Sequence, residues 1–130
     1  MTDFTKKEIG DFGEKSCVKY LRKNGYKILS QNSRLGHLET DIIATNKDFV
    51  CFVEVKTRRA DKNNYGAPSD AVNKAKRTNL LKFAYYYIKT LSKKHSSKQP
   101  RMDVCEIFLE EINGKLKVVD LNYIDNAFSR

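Results

Sequence analysis

The chain has 130 residues, of which 40% are hydrophobic and 32% charged. This composition favours one soluble domain over residues 1–130 and excludes a helical membrane protein, because no apolar run approaches the ~20 residues that a span needs. The N-terminal charges have no apolar stretch behind them, so a secretory signal is not expected and the cytoplasm is the default location. The three cysteines are widely spaced and odd in number, which argues against a disulfide framework or a zinc site.

The net charge of +9 is unevenly distributed along the chain. The segment from Lys56 to Arg101 contains 13 Lys or Arg residues and only two acids, Asp61 and Asp70, and so carries +11. The rest of the chain carries −2. A clustered basic surface is typical of proteins that bind a polyanion such as nucleic acid. A solvated, lysine-rich helix gives the same pattern, so charge alone leaves both interpretations open.

The first half of the chain predicts one helix followed by three strands. Thr5 and Glu8 form a capping box, which predicts a helix over residues 6–24 that stops at Asn24-Gly25. The strands are predicted at residues 26–30, 39–45 and 49–57, with a polar connection at 32–37 and a turn at 46–48.

The second half predicts a loop, a long helix and a final hairpin. Residues 58–65 are polar and are predicted to be a loop, and the helix then begins after residues 66–69 and ends near Ser92. A basic linker at 93–100 leads to strands at 101–109 and 116–121, joined by an Asn113-Gly114 turn. Residues 122–128 are predicted to be a short helical or irregular tail. The strands on either side of the long helix can form a crossover unit, which gives an α/β fold with a mixed sheet flanked by helices.

Charged side chains are concentrated on the second and third predicted strands. Side chains alternate along a strand, so Glu39 and Asp41 share one face of theirs, and Glu54 and Lys56 share one face of the next. A turn centred between positions 47 and 48 places Asp41 opposite Glu54, and Glu39 opposite Lys56. A register shift of one residue would destroy this arrangement.

Two facing carboxylates repel each other unless a cation lies between them. Mg²⁺ or Mn²⁺ suits such a site, because hard cations take oxygen ligands and need only one or two carboxylates besides water and phosphate. Glu54 and Lys56 also end an otherwise apolar strand, where charged groups are costly unless they are paired or bind a ligand. A buried salt bridge or a charge pair at the sheet edge remains the structural alternative.

Short motifs along nearly the whole chain resemble one known family. The most specific is Phe52-Val53-Glu54-Val55-Lys56-Thr57-Arg58. The others include Gly10-x-x-Gly13-Glu14, Asn32-x-Arg34, Glu39-x-Asp41-x-Ile43-Ala44, Arg101-x-Asp103-Val104 and Asn126-Ala127-Phe128. Together they resemble the YraN-type uncharacterised protein family, which is itself similar to restriction-endonuclease-like and Holliday-junction-resolvase-like nucleases.

This resemblance implies a restriction-endonuclease-like αβββαβ core and Mg²⁺- or Mn²⁺-dependent hydrolysis of phosphodiesters in DNA, including branched or recombination and repair intermediates. It implies that Asp41 and Glu54 are the metal carboxylates, that Lys56 is the catalytic lysine, and that Glu14 is the catalytic acid of the first helix. In the mechanism that we expect, the Val55 carbonyl is a further metal ligand, and Glu14 completes the metal shell directly or through water. An exposed acid that interacts with the dipole of its helix is the alternative for Glu14. Glu39 is a further candidate metal ligand. The family usually has Gly just before this position and Ile just after it, whereas this chain has Leu38 and Thr40, so the match is weaker here.

Several basic residues that follow the catalytic motif are predicted to contact phosphates without reading bases. They are Arg58, Arg59, Lys62, Lys74, Lys76, Arg77 and Lys82. The three tyrosines at positions 85–87 can stack on nucleobases. Tyr87 also fits the apolar stripe of its helix, so we expect it to pack in the core rather than to bind a base.

Two other functions fit the same sequence: a non-catalytic nucleic-acid-binding module that keeps the nuclease fold, and a protein-interaction partner in DNA processing. A homodimer is also compatible with the resemblance, because resolvase-like proteins often dimerise.

Overall fold

The computed structural model describes residues 4–60, 74–91, 95 and 97–128. Within these residues two helices and five strands follow one another in the predicted order αβββαββ. The elements are α1 (Lys6–Lys23), β1 (Lys27–Leu35), β2 (Leu38–Thr45), β3 (Phe49–Arg59), α2 (Lys74–Ile88), β4 (Gln99–Ile112) and β5 (Lys115–Phe128). Neither helix of the described part is long and apolar enough to cross a membrane.

Helix α1 begins and ends as the sequence predicts. The Glu8 backbone N–H donates to Thr5 Oγ1 at 3.0 Å, and the Thr5 N–H donates to Glu8 Oε1 at 2.9 Å. These reciprocal bonds satisfy two donors that a helix N-terminus otherwise leaves without partners. At the other end Gly25 adopts a φ of +88°, and the Tyr26 N–H returns to the Leu21 carbonyl at 2.9 Å. This turn leads the chain from α1 into β1.

The strands form one mixed sheet in the order β1-β2-β3-β4-β5. Neighbouring strands are antiparallel except for β3 and β4, which are parallel and are connected through α2, as the crossover prediction requires. The two faces of β3 pack against different helices. Cys51 and Val53 share a core with α1, whereas Val50 and Phe52 share a core with α2. The sheet is therefore the middle layer, and Glu54 continues the alternation on the α2 face.

The register of β2 on β3 is the predicted one. Ile42 pairs with Val53, and three further pairs follow down to Thr45 and Val50. Asn46 fixes the turn, because its Oδ1 accepts the backbone N–H groups of positions 48 and 49 at 3.0 and 2.8 Å. The paired residues end at Ile42 and Val53, so Asp41 and Glu54 lie immediately beyond the ladder.

Two predicted irregular segments are strands in the structure. The predicted loop was wrong for Arg58 and Arg59, because β3 stays paired with parallel β4 as far as Arg59 and Leu109. The predicted tail at 122–128 was also wrong, because β5 continues to Phe128. Local sequence gave no signal of these extensions, since the partner strands that stabilise them come from elsewhere in the chain.

Other element boundaries differ by a few residues. β1 continues through the predicted polar connection to Leu35 and turns at Gly36, which has a φ of +63°. α2 ends at Ile88, before the predicted Ser92, and β4 begins at Gln99 inside the predicted linker. The Asn113-Gly114 hairpin is confirmed, with positive φ at both residues.

The Arg101-x-Asp103 motif forms a buried network that joins β4 to its neighbours. Arg101 donates to both carboxylate oxygens of Asp103 at 2.9 Å and to the Tyr26 hydroxyl at 2.6 Å. Asp103 also accepts the Tyr123 hydroxyl at 2.5 Å and the Asn126 backbone N–H at 2.9 Å. These bonds satisfy a fully buried carboxylate and hold the end of β5 in place. The motif is therefore structural in this fold.

Candidate metal centre and nucleic-acid interface

The candidate site begins where β2 and β3 separate. Beyond Ile42 and Val53, the last pair of the ladder, the Val55 backbone N–H donates to Asp41 Oδ2 at 2.8 Å. The Asp41 carboxylate thus accepts a hydrogen bond that a backbone carbonyl would accept in a continuous ladder. This bond fixes the orientation of the Asp41 side chain without any ligand. Alternation along both strands places the Asp41 and Glu54 side chains on the α2 face of the sheet.

Asp41 and Glu54 open into a cavity of about 220 Å³ between β2, β3 and α2. Both carboxylates line it, together with polar and apolar groups from the β1–β2 hairpin, β2 and α2. The lining residues are His37, Leu38, Glu39, Asp41, Glu54, Lys76, Asn79 and Leu80. The sequence indicated the two central acids, but it carried no signal that would place His37 or Asn79 beside them.

The electrostatic environment of Asp41 is unfavourable for a bare carboxylate. Burial and the neighbouring carboxylate of Glu54 raise the pKa of Asp41 from 3.8 to about 7, and Glu14 adds to the negative field. The hydrogen bond from Val55 opposes this rise in pKa but does not cancel it. Burial disfavours the charged form of an acid, and a like charge nearby disfavours it further. A cation placed here would reverse both effects.

Glu14 reaches this region from the opposite face of the sheet. Its pKa is raised by burial, with a side-chain hydrogen bond to Asn32 opposing the rise and the negative charges of Asp11 and Glu54 adding to it. Asn32 adopts a φ of +50°, an uncommon backbone conformation within a strand. Glu14 is therefore electrostatically coupled to both central carboxylates, although it does not line their cavity.

Gly13 explains how α1 comes so close to β3. A Cβ at this position would lie 1.8 Å from Oγ1 of Thr57 and 2.9 Å from its Cβ. Only a residue without a side chain permits this approach. A Cβ at Gly10, one turn earlier, would have no neighbour within 4 Å. Of the two glycines in the Gly-x-x-Gly-Glu motif, the second therefore sets the position of Glu14.

Lys76 contributes a positive charge to the carboxylate cavity. Its Nζ lies 3.2 Å from Glu54 Oε2, and the Glu54 side chain is 15% exposed. The sequence predicted Lys76 only as a phosphate contact. Its place beside Glu54 depends on how the crossover helix α2 docks on the sheet, which local sequence does not encode.

Lys56 lies two residues beyond Glu54 on the same strand, but it is not among the residues that line the carboxylate cavity. In the parallel register it neighbours Glu106 of β4, which is 1% exposed. Glu106 Oε1 accepts a bond from Asn122 Nδ2 at 3.1 Å, while its Oε2 has no hydrogen-bond partner among the described residues. The structure thus places a buried acid beside the predicted catalytic lysine. No motif in the sequence points to Glu106.

Glu39 lies at the rim of the cavity. Its Oε1 is 3.4 Å from Nη2 of Arg34, the residue it faces across the β1–β2 pair, and both side chains are more than half exposed. The predicted position of Glu39 opposite Lys56 lies beyond the β2–β3 ladder, which ends at Ile42 and Val53. Its observed cationic neighbour is therefore Arg34.

The donor set suits a hard divalent cation. In the described part of the chain no three His, Cys, Asp or Glu side chains are gathered closely enough to form a complete protein ligand set. A cation here would take oxygens from Asp41 and Glu54 and complete its shell with water or phosphate. Mg²⁺ commonly binds in this way, and Mn²⁺ accepts the same oxygen donors. The residues present therefore fit the implied metal.

The predicted phosphate-contacting residues divide between two elements. Arg58 and Arg59 end β3, and Lys62 lies outside the described residues. The sequence of α2 contains no acid and carries the remaining four bases, which are Lys74, Lys76, Arg77 and Lys82. Of these four, only Lys76 lines the carboxylate cavity, while Lys82 lies on another flank of α2. A helix rich in Lys and Arg without acids is typical of an element that contacts phosphates.

The three tyrosines of α2 have different environments. Tyr87 packs against Phe52 and Phe83, with ring centroids 5.8 and 5.6 Å apart, which confirms its predicted place in the core. Tyr85 and Tyr86 are 56% and 54% exposed. These two rings therefore lie at the surface.

The fold and the site define the class of protein: an α/β protein with an αβββαβ core and a carboxylate pair where β2 and β3 separate. Residues 13–107 match the family described as Uncharacterised protein family UPF0102, and the chain belongs to this family. A UPF0102 protein of Clostridium acetobutylicum is 45% identical over 122 residues, which cover 94% of each chain. A UPF0102 protein of Caldanaerobacter subterraneus is 41% identical and covers 98% of this chain and all of its own. The family resemblance inferred from the motifs is confirmed.

Proposed function

We propose that this protein is a divalent-metal-dependent endonuclease that hydrolyses phosphodiester bonds in DNA, with Mg²⁺ or Mn²⁺ as its cofactor. The observation that carries the proposal is the pair of carboxylates, Asp41 and Glu54, which line one cavity where burial and mutual repulsion hold the Asp41 pKa near 7. Such a pair has a high electrostatic cost in the free protein, and a bound cation would remove that cost.

Asp41 and Glu54 would hold the cation through their carboxylate oxygens, and the Val55 carbonyl is proposed as a third protein ligand. When bound, the cation supplies Lewis-acid chemistry, polarising a phosphate and making a bound water more acidic. The Val55 N–H keeps the Asp41 carboxylate in one orientation. This preorganisation is what a metal site on a rigid sheet requires.

Lys56 would orient the attacking water or stabilise the negative charge that develops on the phosphate in the transition state. Its position on β3, two residues after Glu54, supports this role because the strand fixes its backbone relative to the carboxylate pair. Glu14 would add negative charge to the metal environment across the sheet. The basic side chains of α2 would contact the DNA backbone near the cavity.

Cleavage assays with Mn²⁺ on branched, single-stranded and duplex DNA test this proposal. Wild type is expected to cut at least one substrate, and Asp41→Asn and Lys56→Ala are each expected to lose roughly 10²-fold or more in rate. Lys117→Ala provides a matched control, because it removes an exposed lysine on β5 far along the sheet order from the site. Wild-type rates in both site variants would overturn the assignment.

The rival function, a non-catalytic nucleic-acid-binding module, is distinguished by direct metal titration. The nuclease proposal requires calorimetric Mn²⁺ binding that Asp41→Asn weakens. DNA binding without any metal binding or cleavage by wild type would instead favour the binding module.

A further inference from the structure

A second cavity, of about 550 Å³, lies on the other flank of α2, against the start of β4. Residues of α2 are divided between the two sites by helical periodicity. Lys76 and Asn79 face the carboxylate cavity, whereas Lys82 and Tyr85 line the second one. This second cavity, called here the tyrosine groove, is lined by Lys82, Tyr85, Tyr86, Lys89, Pro100 and Met102 among others.

We propose that the tyrosine groove binds unpaired bases of a single-stranded DNA segment. This inference rests on the proposed function for the identity of the polyanion and deepens it, because it names a substrate class: DNA with an unpaired segment beside the cleavage site. The volume of the groove lies within the ~300–1,000 Å³ that is usual for pockets that bury small organic groups.

The aromatic surface of the groove suits the faces of nucleobases. Tyr85 and Tyr86 are more than half exposed, although packing usually covers much of a large aromatic ring. Their ring centroids lie 5.3 Å apart with planes at 79°, so the two rings present surfaces in different directions. Exposed aromatic rings stack on unpaired bases with little regard to sequence. Bases paired within a duplex do not offer their faces in this way.

The charges around the groove select a polyanionic occupant. Lys82 lines it, and Lys89 holds its Nζ 4.1 Å from the centroid of the Tyr85 ring. Proteins that bind single-stranded nucleic acid combine cations, which contact the phosphate backbone, with aromatic rings, on which the bases stack. A second copy of this chain is a poorer partner, because it carries +9 itself and a symmetric contact would bring the same lysines together.

The position of the groove relates it to the carboxylate cavity. The α2 side chains from Thr78 to Ile88 that line the groove span about 15 Å of helix at 1.5 Å per residue. Lys76, which contacts Glu54, lies half a turn before Thr78. One helix thus borders both sites, so a strand held in the groove is kept close to the carboxylate pair.

Fluorescence anisotropy in EDTA tests the inference without cleavage or metal. The probes are a labelled oligothymidylate and a labelled blunt hairpin duplex of the same number of nucleotides. A Tyr85→Leu/Tyr86→Leu double variant is expected to bind oligothymidylate about 10-fold or more weakly, from the usual contribution of base–aromatic stacking, and to bind the duplex with little change. Tyr85→Phe/Tyr86→Phe keeps both rings and is expected to bind like wild type. Unchanged oligothymidylate binding by the leucine variant would overturn the inference.

Chemical nitration of tyrosines tests whether the groove is open. In the free protein, tetranitromethane should modify Tyr85 and Tyr86 readily, and the network-bound Tyr123 provides an internal control of low reactivity. Saturating oligothymidylate should protect the two exposed tyrosines. Absence of their modification in the free protein, or absence of protection, would contradict the inference.

Two outcomes identify other arrangements. If light scattering shows a dimer that the leucine variant converts to a monomer, the groove is a protein interface and the inference is wrong. If the protein binds oligothymidylate through Tyr85 and Tyr86 but never cleaves DNA, the proposed hydrolysis fails while the groove assignment stands. If wild type cleaves DNA but the leucine variant binds oligothymidylate as wild type does, the groove assignment fails while the proposed hydrolysis stands.

Discussion

The Val55 backbone N–H donates a 2.8 Å hydrogen bond to Asp41 Oδ2 just beyond the point where β2 and β3 cease to pair. The bond fixes Asp41 within the sheet architecture, so its carboxylate stays beside Glu54 even without a ligand. Burial and Glu54 together raise the Asp41 pKa to about 7. The hydrogen bond from Val55 lowers the pKa, but by less than these two effects raise it. The fold therefore holds a carboxylate in a place where its ionised form is unfavourable.

This arrangement predicts an unusual pH dependence of stability. Because the folded-state pKa of Asp41 is raised from 3.8 to about 7, the native protein keeps a proton that the unfolded chain loses across this range. Asp41 therefore contributes stability that is fully present below about pH 4 and is lost as pH rises through 7. The expected loss from this group is about 1 to 4 kcal/mol. Urea unfolding between pH 4.5 and 8 measures it.

Asp41→Asn is the matched control for this pH dependence, because asparagine keeps an oxygen for the Val55 N–H but does not ionise. Its free energy of unfolding should fall less than that of wild type over the same pH range. Mn²⁺ added at pH 8 should raise the melting temperature of wild type more than that of the variant, since a ligand that binds the native state stabilises it. Parallel pH profiles for the two proteins would contradict the environment assigned to Asp41.

Gly13→Ala tests the close contact between α1 and β3. The added Cβ would lie 1.8 Å from Thr57 Oγ1, so the helix must move away from the strand or Thr57 must shift. The expected cost is about 1 to 3 kcal/mol in the free energy of unfolding. The displacement should also reduce any activity that depends on Glu14, because Glu14 follows Gly13 on the helix.

Gly10→Ala is the internal control, since a Cβ there meets nothing within 4 Å and alanine has the higher helix propensity. This variant should be as stable as wild type or more stable by about 0.5 to 1 kcal/mol. Thr57→Ala should relieve part of the Gly13→Ala defect, because it removes the nearest clashing atom. Equal effects of the two glycine substitutions would show that the α1–β3 contact does not depend on Gly13.

The features that are encoded locally could be predicted from the sequence. The capping box at Thr5 and Glu8, the hairpin at Asn113-Gly114 and the β2–β3 register follow from residues that lie close together along the chain. The register in particular follows from one short turn. It was enough to predict that Asp41 and Glu54 lie near each other.

The features that sequence reasoning missed depend on distant partners. The end of β5 is a strand because β4 pairs with it and because buried Asp103 binds Tyr123 and the Asn126 N–H. Lys76 reaches Glu54 only because α2 crosses back over the sheet. No pattern within a short window specifies these contacts.

Asp103→Ala should destabilise the protein more than an ordinary core substitution. It would leave the buried Arg101 guanidinium without its bidentate partner and the Asn126 N–H without its acceptor. Removal of one member of a buried ion pair typically costs about 3 to 5 kcal/mol. Chemical denaturation of this variant, with Glu110→Ala at an exposed position of β4 as the control, provides the measurement. A loss similar to that of the control would contradict the structural role assigned to the motif.

Lys76→Gln addresses whether Lys76 competes with the proposed metal. Its ammonium group lies 3.2 Å from Glu54 Oε2 and so must weaken its contact when a cation takes that oxygen. Because Lys76 is about half exposed, the ion pair is screened by solvent, and its loss should tighten Mn²⁺ binding by a factor of only about 2 to 5. Lys82→Gln removes the same charge from α2 but does not line the carboxylate cavity, so it corrects for the general field of the helix. Calorimetric titration of Mn²⁺ into both variants gives the comparison. Tighter Mn²⁺ binding in Lys76→Gln alone supports direct competition at Glu54. Equal changes in Mn²⁺ affinity in the two variants would contradict it, because Lys76 would then act only through the general charge of the helix.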